Sequence, residues 1–145
     1  MNLPQKVLLD TDVIISYLTQ NHLFKHSQKI IDQILTGRIK AYISSEFYDD
    51  IITMLRSNQI PLQTVINFIK DIGQIPLIPL PTTQKIAETA LKTYEKHKGP
   101  RKLHYFDSYH IATAKHHKLP LITSDTYILK NQNKLKIKTI NLKQI

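Results

Sequence analysis

Residues 7–15 read VLLDTDVII, an apolar triplet that ends in an acidic residue and leads into a second apolar segment. A short uninterrupted run such as Val7-Leu8-Leu9 is typical of a strand that is buried on both faces of a parallel sheet. The residues that follow, 11–19, predict a helix. Asp10 therefore lies at the carboxyl end of a predicted strand.

The rest of the chain repeats this alternation of short apolar runs and amphipathic segments. Strands are predicted at 41–43, 121–123 and 137–142, and a proline-containing edge strand at 75–81, because proline cannot donate to a sheet ladder. Helices are predicted at 26–36, 61–71 and 104–118. Two more are predicted to begin at a capping residue: one runs from Ser44 or Ser45 to before Ser57, and the other from Thr82 or Thr83 to before Gly99.

Strands that alternate with helices pair in parallel through right-handed crossovers. We therefore expect an α/β fold, a three-layer α/β/α sandwich with a central, mainly parallel sheet. A chain of 145 residues, of which 41% are hydrophobic and 21% charged, is expected to form one globular domain spanning 1–145.

Composition limits the kinds of functional site. The chain has no Cys and three widely separated glycines, which excludes disulfides, thiolate metal sites, Cys nucleophiles and glycine-rich nucleotide loops. No apolar run approaches the roughly 20 residues that cross a membrane, so a cytoplasmic location is expected.

The formal net charge is +9, and all of the excess lies in the second half of the chain. Residues 1–71 contain seven basic and seven acidic residues, whereas residues 72–145 contain thirteen basic and four acidic residues. A one-sided basic surface attracts a polyanion such as a nucleic acid, although a solvated lysine-rich face has the same composition. The candidate nucleic-acid contacts are Lys96, Lys98, Arg101 and Lys102.

Three of the scarce acidic residues lie in apolar surroundings. Asp10 and Asp125 follow predicted strands, and Asp107 lies in the first turn of a predicted helix. Each alone is typical of a helix cap. Together they converge at the carboxyl edge of the sheet, where crowded carboxylates repel unless a divalent cation neutralises them. Hard oxygen ligands favour Mg²⁺ or Mn²⁺, which can activate water and polarise a phosphodiester. An acidic metal pocket with a basic flank indicates cleavage of a nucleic acid.

Three segments resemble the PIN-domain ribonucleases. The stretch VLLDTDVII at 7–15 is similar to the opening of these proteins, and FDSYHIATA at 106–114 with LPLITSD at 119–125 is similar to their C-terminal half. Within the family, the VapC-type toxins of toxin-antitoxin pairs are closest in size. The resemblance implies an endoribonuclease that depends on Mg²⁺ or Mn²⁺, acts on RNA, forms a homodimer and is blocked by an antitoxin protein.

The resemblance also implies roles for individual residues. Asp10 and Asp107 would be metal ligands, and Asp125 would complete the pocket directly or through water. Thr11 and Thr123 would donate hydroxyl hydrogen bonds that orient carboxylates or waters.

The family's remaining acid, usually Glu, corresponds to Asp50, whose side chain is one methylene shorter. Glu46 shares a helix face with Asp50, whereas Asp49 points about 100° away by helical geometry. We choose Asp50 as the helix-borne acid. The candidate catalytic and metal-binding residues are then Asp10, Asp50, Asp107 and Asp125.

Three further polar residues have ordinary interpretations. Asp12, two positions after Asp10, is expected to cap a helix or to complement its dipole rather than to touch the metal pocket. His104 and His110, three residues before and after Asp107, are expected to pack or to lie at the surface rather than to contact phosphate.

Two other functions stay open: a noncatalytic PIN-like module for RNA binding or assembly, and a structure-specific DNA nuclease.

Overall fold

Five parallel strands form one sheet in the computed structural model, which describes residues 2–145. The strand order is β3-β2-β1-β4-β5, so β1 is central and β3 lies at an edge, as the prolines of the segment 75–81 predict. The strands are β1 (Lys6–Leu9), β2 (Lys40–Ser44), β3 (Leu77–Leu80), β4 (Leu121–Thr123) and β5 (Thr139–Asn141). In register, Leu8 lies opposite Tyr42 of β2 and Leu121 of β4.

Helices cover both faces of the sheet. They are α1 (Thr11–Thr19), α2 (Phe24–Leu35), α3 (Phe47–Ser57), α4 (Leu62–Ile72), α5 (Gln84–His97), α6 (Tyr105–His117), α7 (Thr126–Lys130) and α8 (Gln132–Leu135), and a 3₁₀ turn spans Leu142–Gln144. Each of the helices in residues 2–145 is too short or too polar to cross a membrane.

The alternation of side chains along β1 separates the core into two halves. Val7 and Leu9 pack with the buried residues of α1 to α4, whereas Leu8 packs with Leu121 and with Ile111 of α6 on the opposite face. A strand that is buried on both sides requires a continuous apolar run, which VLL supplies. The three-layer α/β/α sandwich with a parallel sheet is therefore confirmed.

The structure departs from the predicted elements at helix starts and near the C-terminus. Neither serine caps α3: Ser44 ends β2 and contacts His110, Ser45 donates to the carbonyl of Leu80, and the helix begins at Phe47. The helices α7 and α8 were not predicted, because segments of five and four residues are too short to display helical periodicity.

Candidate active site

A cleft lies at the carboxyl ends of β1 and β4, where the order of strands reverses. The chain passes from β1 to β2 on one side of the sheet, and β4 pairs with β1 on the other side. Such a reversal opens a crevice above the sheet. A cleft of about 480 Å³ lies here, and its lining includes the four predicted acids, Asp10, Asp50, Asp107 and Asp125.

Asp10 is almost completely buried, with 4% of its surface exposed. It follows β1 and caps α1, because its Oδ1 accepts the backbone N–H of Thr11 at 2.8 Å. Its Oδ2 accepts the hydroxyl hydrogen of Thr123 at 2.7 Å. Both oxygens are thus held by neighbouring elements, which fixes the direction in which the carboxylate faces the cleft.

Asp107 and Asp125 also act as helix caps. Asp107 Oδ2 accepts the N–H of His104 at 3.0 Å at the start of α6, and Asp125 Oδ1 accepts the N–H of Ile128 at 2.9 Å at the start of α7. The two interpretations of these acids, as caps and as cleft ligands, are therefore compatible, since each cap uses one oxygen of its carboxylate.

Of the three acids considered for α3, Asp50 lines the cleft. Its Oδ2 lies 3.3 Å from the donating hydroxyl of Thr11 and 2.7 Å from Nε2 of His110. Glu46 instead accepts the hydroxyl hydrogen of Thr82, with distances of 2.6 and 2.8 Å to its two oxygens. Asp49 is exposed. The structure thus brings Asp50 to the position that the sequence reasoning favoured.

His110 is the site residue that the sequence reasoning undervalued. It is completely buried, and its ring bridges two elements: Nδ1 lies 2.7 Å from Ser44 Oγ at the end of β2, and Nε2 lies 2.7 Å from Asp50. One potential ligand atom each from Asp10, Asp50 and His110 lies within 4.8 Å of the others. The available sequence signal was its i+3 spacing from Asp107, which places both residues on one face of α6.

Asp12 connects α1 to the turn after β4, rather than merely complementing its own helix. Its Oδ2 accepts the backbone N–H of Ser124 at 2.6 Å and also the Ser124 hydroxyl. Its Oδ1 is buried without a hydrogen-bond partner among residues 2–145. An unpartnered buried carboxylate oxygen is costly unless a cation or water satisfies it.

Burial and mutual repulsion raise the pKa values of three acids that line the cleft, Asp10, Asp12 and Asp107. Burial, reinforced by the charge of Asp107, raises the pKa of Asp10 to about 6. Burial, with the charges of Asp125 and Asp50, raises the pKa of Asp107 to about 6. Burial and the charge of Asp10 raise the pKa of Asp12 to about 7. Burial lowers the pKa of His110, but the hydrogen bond to Asp50 and the surrounding carboxylates outweigh it, so the net shift is upward.

The donor set fits a divalent cation. Among residues 2–145 the ion pairs are Lys92–Glu88 and His110–Asp50, so no lysine or arginine neutralises a cleft acid at salt-bridge distance. Several carboxylates that face one cleft, together with the orphaned oxygen of Asp12, supply the hard ligands that Mg²⁺ and Mn²⁺ prefer. A cation bound there would offset both the burial and the mutual repulsion that raise the pKa values of Asp10, Asp12 and Asp107.

The predicted basic contacts lie along the connection between α5 and α6. Lys96 is in the last turn of α5, and all four basic residues are exposed. This connection leads directly to His104, which lines the acidic cleft. The positions in question are Lys96, Lys98, Arg101 and Lys102.

Solved structures with the same fold come from toxin-antitoxin systems. VapBC2 from Rickettsia felis, bound to a DNA fragment from its promoter, has a TM-score of 0.69 at 12% identity, covering 94% of this chain and 98% of that one. VapBC-1 from nontypeable Haemophilus influenzae has a TM-score of 0.63 at 19% identity, covering 95% and 98%. VapBC-5 from Mycobacterium tuberculosis, a member of the VapBC family of toxin-antitoxin systems, has a TM-score of 0.59 at 16% identity, covering 95% and 99%.

A search among curated proteins found no match to the sequence. The family comparison is decisive instead, because the sequence model of the PIN domain matches residues 7–134, which include all four predicted acids and most of the chain. The chain belongs to the PIN domain family.

Proposed function

We propose that this chain is a metal-dependent endoribonuclease that hydrolyses RNA phosphodiester bonds, of the VapC-like toxin type. The observation that carries the proposal is the convergence of Asp10, Asp50, Asp107 and Asp125 on one cleft without a lysine or arginine counter-charge among residues 2–145. Membership of the PIN domain family supports nuclease chemistry at this cleft.

The four acids would hold Mg²⁺ or Mn²⁺. A bound divalent cation supplies Lewis-acid polarisation of a phosphate and activation of water. Thr123 holds Asp10 and also accepts the backbone N–H of Asp125 at 3.0 Å, so this one hydroxyl fixes two of the ligands relative to each other. Thr11 contacts Asp50 and thereby joins the start of α1 to α3.

The substrate would be a nucleic acid whose backbone extends from the cleft along the basic connection. Lys96, Lys98, Arg101 and Lys102 would contact phosphates, since exposed cations beside an acidic metal pocket balance the charge of a polyanion. These contacts carry little sequence information, so they would position the backbone at the cleft rather than choose the cleavage site.

The proposed partners rest on the likeness to the VapBC structures. VapBC2 from Rickettsia felis is bound to a promoter DNA fragment, and VapBC-5 from Mycobacterium tuberculosis is a member of a family of toxin-antitoxin systems. We propose that this chain forms a homodimer in the cytoplasm and that an antitoxin protein blocks it. Size-exclusion chromatography of the chain alone tests the homodimer, and the same measurement after co-expression with a candidate antitoxin tests the complex.

One observation favours a second candidate, the noncatalytic RNA-binding or assembly module. Asp50 is shorter than the usual Glu, and its Oδ2 is already engaged by Thr11 and His110. If those contacts withdraw the carboxylate from a cation, the fold remains but the chemistry is lost.

The test is a cleavage assay with RNA and DNA strands of identical sequence, in Mn²⁺, Mg²⁺ and chelator. The proposed function predicts internal cuts in RNA that require a divalent ion and are absent in Asp107→Asn. Cuts in DNA alone support the structure-specific DNA nuclease. RNA binding by the wild type without cleavage under every metal condition supports the noncatalytic module.

A further inference from the structure

The contact between His110 and Asp50 joins three separate elements in the interior of the protein. Asp50 is on α3, His110 is on α6 and Ser44 ends β2. Ser44 and His110 are buried, and 19% of the Asp50 side chain is exposed, where it lines the cleft. The outer end of this chain of contacts therefore meets the cleft while its inner end is sealed from water.

Both ring nitrogens of His110 are engaged. Nε2–H donates to the carboxylate oxygen Oδ2 of Asp50 at 2.7 Å, and Nδ1 lies 2.7 Å from Ser44 Oγ, a hydroxyl that donates to the neutral ring and accepts from the imidazolium. The ring is thus prevented from rotating by Ser44, and it presents one fixed donor to the carboxylate. A residue that hydrogen-bonds a metal ligand without touching the metal commonly determines how that ligand is oriented.

The short side chain of Asp50 makes such a restraint useful. The carboxylate of Asp50 reaches less far from α3 than that of Glu, because the side chain has one methylene fewer. A smaller displacement of Asp50 would therefore take its carboxylate out of reach of a cation. Thr11 also contacts Asp50 Oδ2, at 3.3 Å, through a longer and weaker hydrogen bond than that from His110.

We propose that His110 is a positioning residue, which holds Asp50 Oδ2 through Nε2 so that the other oxygen of Asp50 is presented to the cation. This inference rests on the proposed metal site. It assigns His110 no contact with substrate or with the reacting atoms, and it assigns Ser44 the role of fixing the ring.

The experiment measures Mn²⁺ affinity by isothermal titration calorimetry and folding by thermal melting in chelator. His110→Gln places an amide donor near the position of Nε2, whereas His110→Asn reaches only the position of Nδ1. We expect His110→Asn to weaken Mn²⁺ binding by about 10–100-fold, the range for residues behind a metal ligand. We expect His110→Gln to restore most of that affinity. Thr113→Val is the matched control, because Thr113 is a buried residue of α6 whose hydroxyl donates to the Tyr109 carbonyl, away from the cleft.

A double-variant cycle separates positioning from general destabilisation. In an Asp50→Ala background, His110→Asn should cause no further loss of Mn²⁺ affinity, because the carboxylate that it positions is gone. Ser44→Ala keeps the histidine and serves if His110→Asn fails to fold; its Mn²⁺ affinity should lie between those of the wild type and Asp50→Ala.

The outcomes distinguish this inference from the proposed function. Three results would overturn the role of His110 while leaving the metal site intact. The first is an equal loss of Mn²⁺ affinity in His110→Gln and His110→Asn. The others are a loss from His110→Asn that persists in the Asp50→Ala background, and wild-type affinity in Ser44→Ala. If the wild type itself binds no Mn²⁺, the proposed metal site fails, and the inference fails with it.

Discussion

Thr123 donates its hydroxyl hydrogen to Asp10 Oδ2 at 2.7 Å, although 113 residues separate them in the chain. The contact joins the ends of the adjacent parallel strands β1 and β4. Because both residues are buried, water cannot replace the hydrogen bond. The orientation of the central acid therefore depends on a residue from the other end of the sequence.

Replacing this hydroxyl tests its effect on the metal site. Thr123→Val preserves the shape of the side chain but removes the donor to Asp10. We expect Mn²⁺ affinity, measured by calorimetry, to fall by about 10–100-fold. Thr64→Val, an exposed change on α4, is the control and should retain wild-type affinity. Unchanged affinity in Thr123→Val would contradict the orienting role.

Neutralising a cleft acid should have opposite effects with and without metal. In chelator at pH 8, Asp10→Asn and Asp107→Asn should melt at or above the wild-type temperature, because each substitution removes a buried charge together with its repulsion of a neighbouring carboxylate, Asp12 or Asp10 respectively. With Mn²⁺ at about 100 times its dissociation constant, the wild type should gain about 2.7 kcal/mol of stability by mass action. The two variants should lose most of this gain. An equal gain in the variants would place the ion elsewhere.

The raised pKa values predict the direction of the pH dependence. Asp10 and Asp107 have a pKa of about 6 and Asp12 of about 7, against a usual aspartate value of 3.8. Between pH 4 and 7 the metal-free folded state therefore binds more protons than the unfolded state, so its free energy of unfolding decreases as pH rises. His110, whose net pKa shift is also upward, acts in the same direction.

Metal should reverse this trend, because protons and the cation compete for the same oxygens. The Mn²⁺-induced rise in melting temperature should be small at pH 5 and large at pH 8. Thermal melts across this range with Mn²⁺ or chelator measure both dependences. A metal-free protein that becomes more stable between pH 5 and 7 would contradict the assignment of protonated carboxyl groups to the cleft.

The basic connection between α5 and α6 predicts a change in salt dependence. Replacing Lys96, Arg101 and Lys102 together with Gln should weaken RNA binding. The slope of log affinity against log salt concentration should become less steep by about 2, because each phosphate contact with a single strand contributes about 0.7 to it. Sequence preference should not change. Binding is measured in the Asp107→Asn background to prevent cleavage. The matched control replaces three exposed lysines elsewhere, Lys6, Lys25 and Lys70; an equal effect there would indicate general charge attraction only.

Local pattern predicted the middle of the sheet because β1 and β4 are buried on both faces. The runs at Val7-Leu8-Leu9 and Leu121-Ile122-Thr123 lie inside the observed β1 and β4. The last predicted strand, 137–142, is shorter in the structure, at Thr139–Asn141, because Leu142 begins a 3₁₀ turn. The short helices α7 and α8 depend on a cap from Asp125 and on tertiary packing of Ile128 and Leu135 rather than on periodicity.

The candidate site was only partly predictable for a related reason. Asp10 and Asp125 were identifiable because they lie one and two residues after apolar strands, whose ends meet at one edge of the sheet. The burial of His110 was not identifiable, because its partners Ser44 and Asp50 lie 66 and 60 residues away. The local sequence around a histidine among apolar residues is the same whether or not a carboxylate distant in the chain contacts it in the fold.

The most direct test of the central claim is single-turnover cleavage of one RNA by the wild type and by Asp107→Asn, each titrated with Mn²⁺ after complete removal of metal. The account predicts that the wild-type rate rises from zero and saturates with Mn²⁺, while Asp107→Asn, folded by its melting curve, shows no cleavage. Cleavage by the metal-free wild type, or equal saturating rates for the two proteins, would contradict the claim that these carboxylates and a divalent cation carry out the reaction.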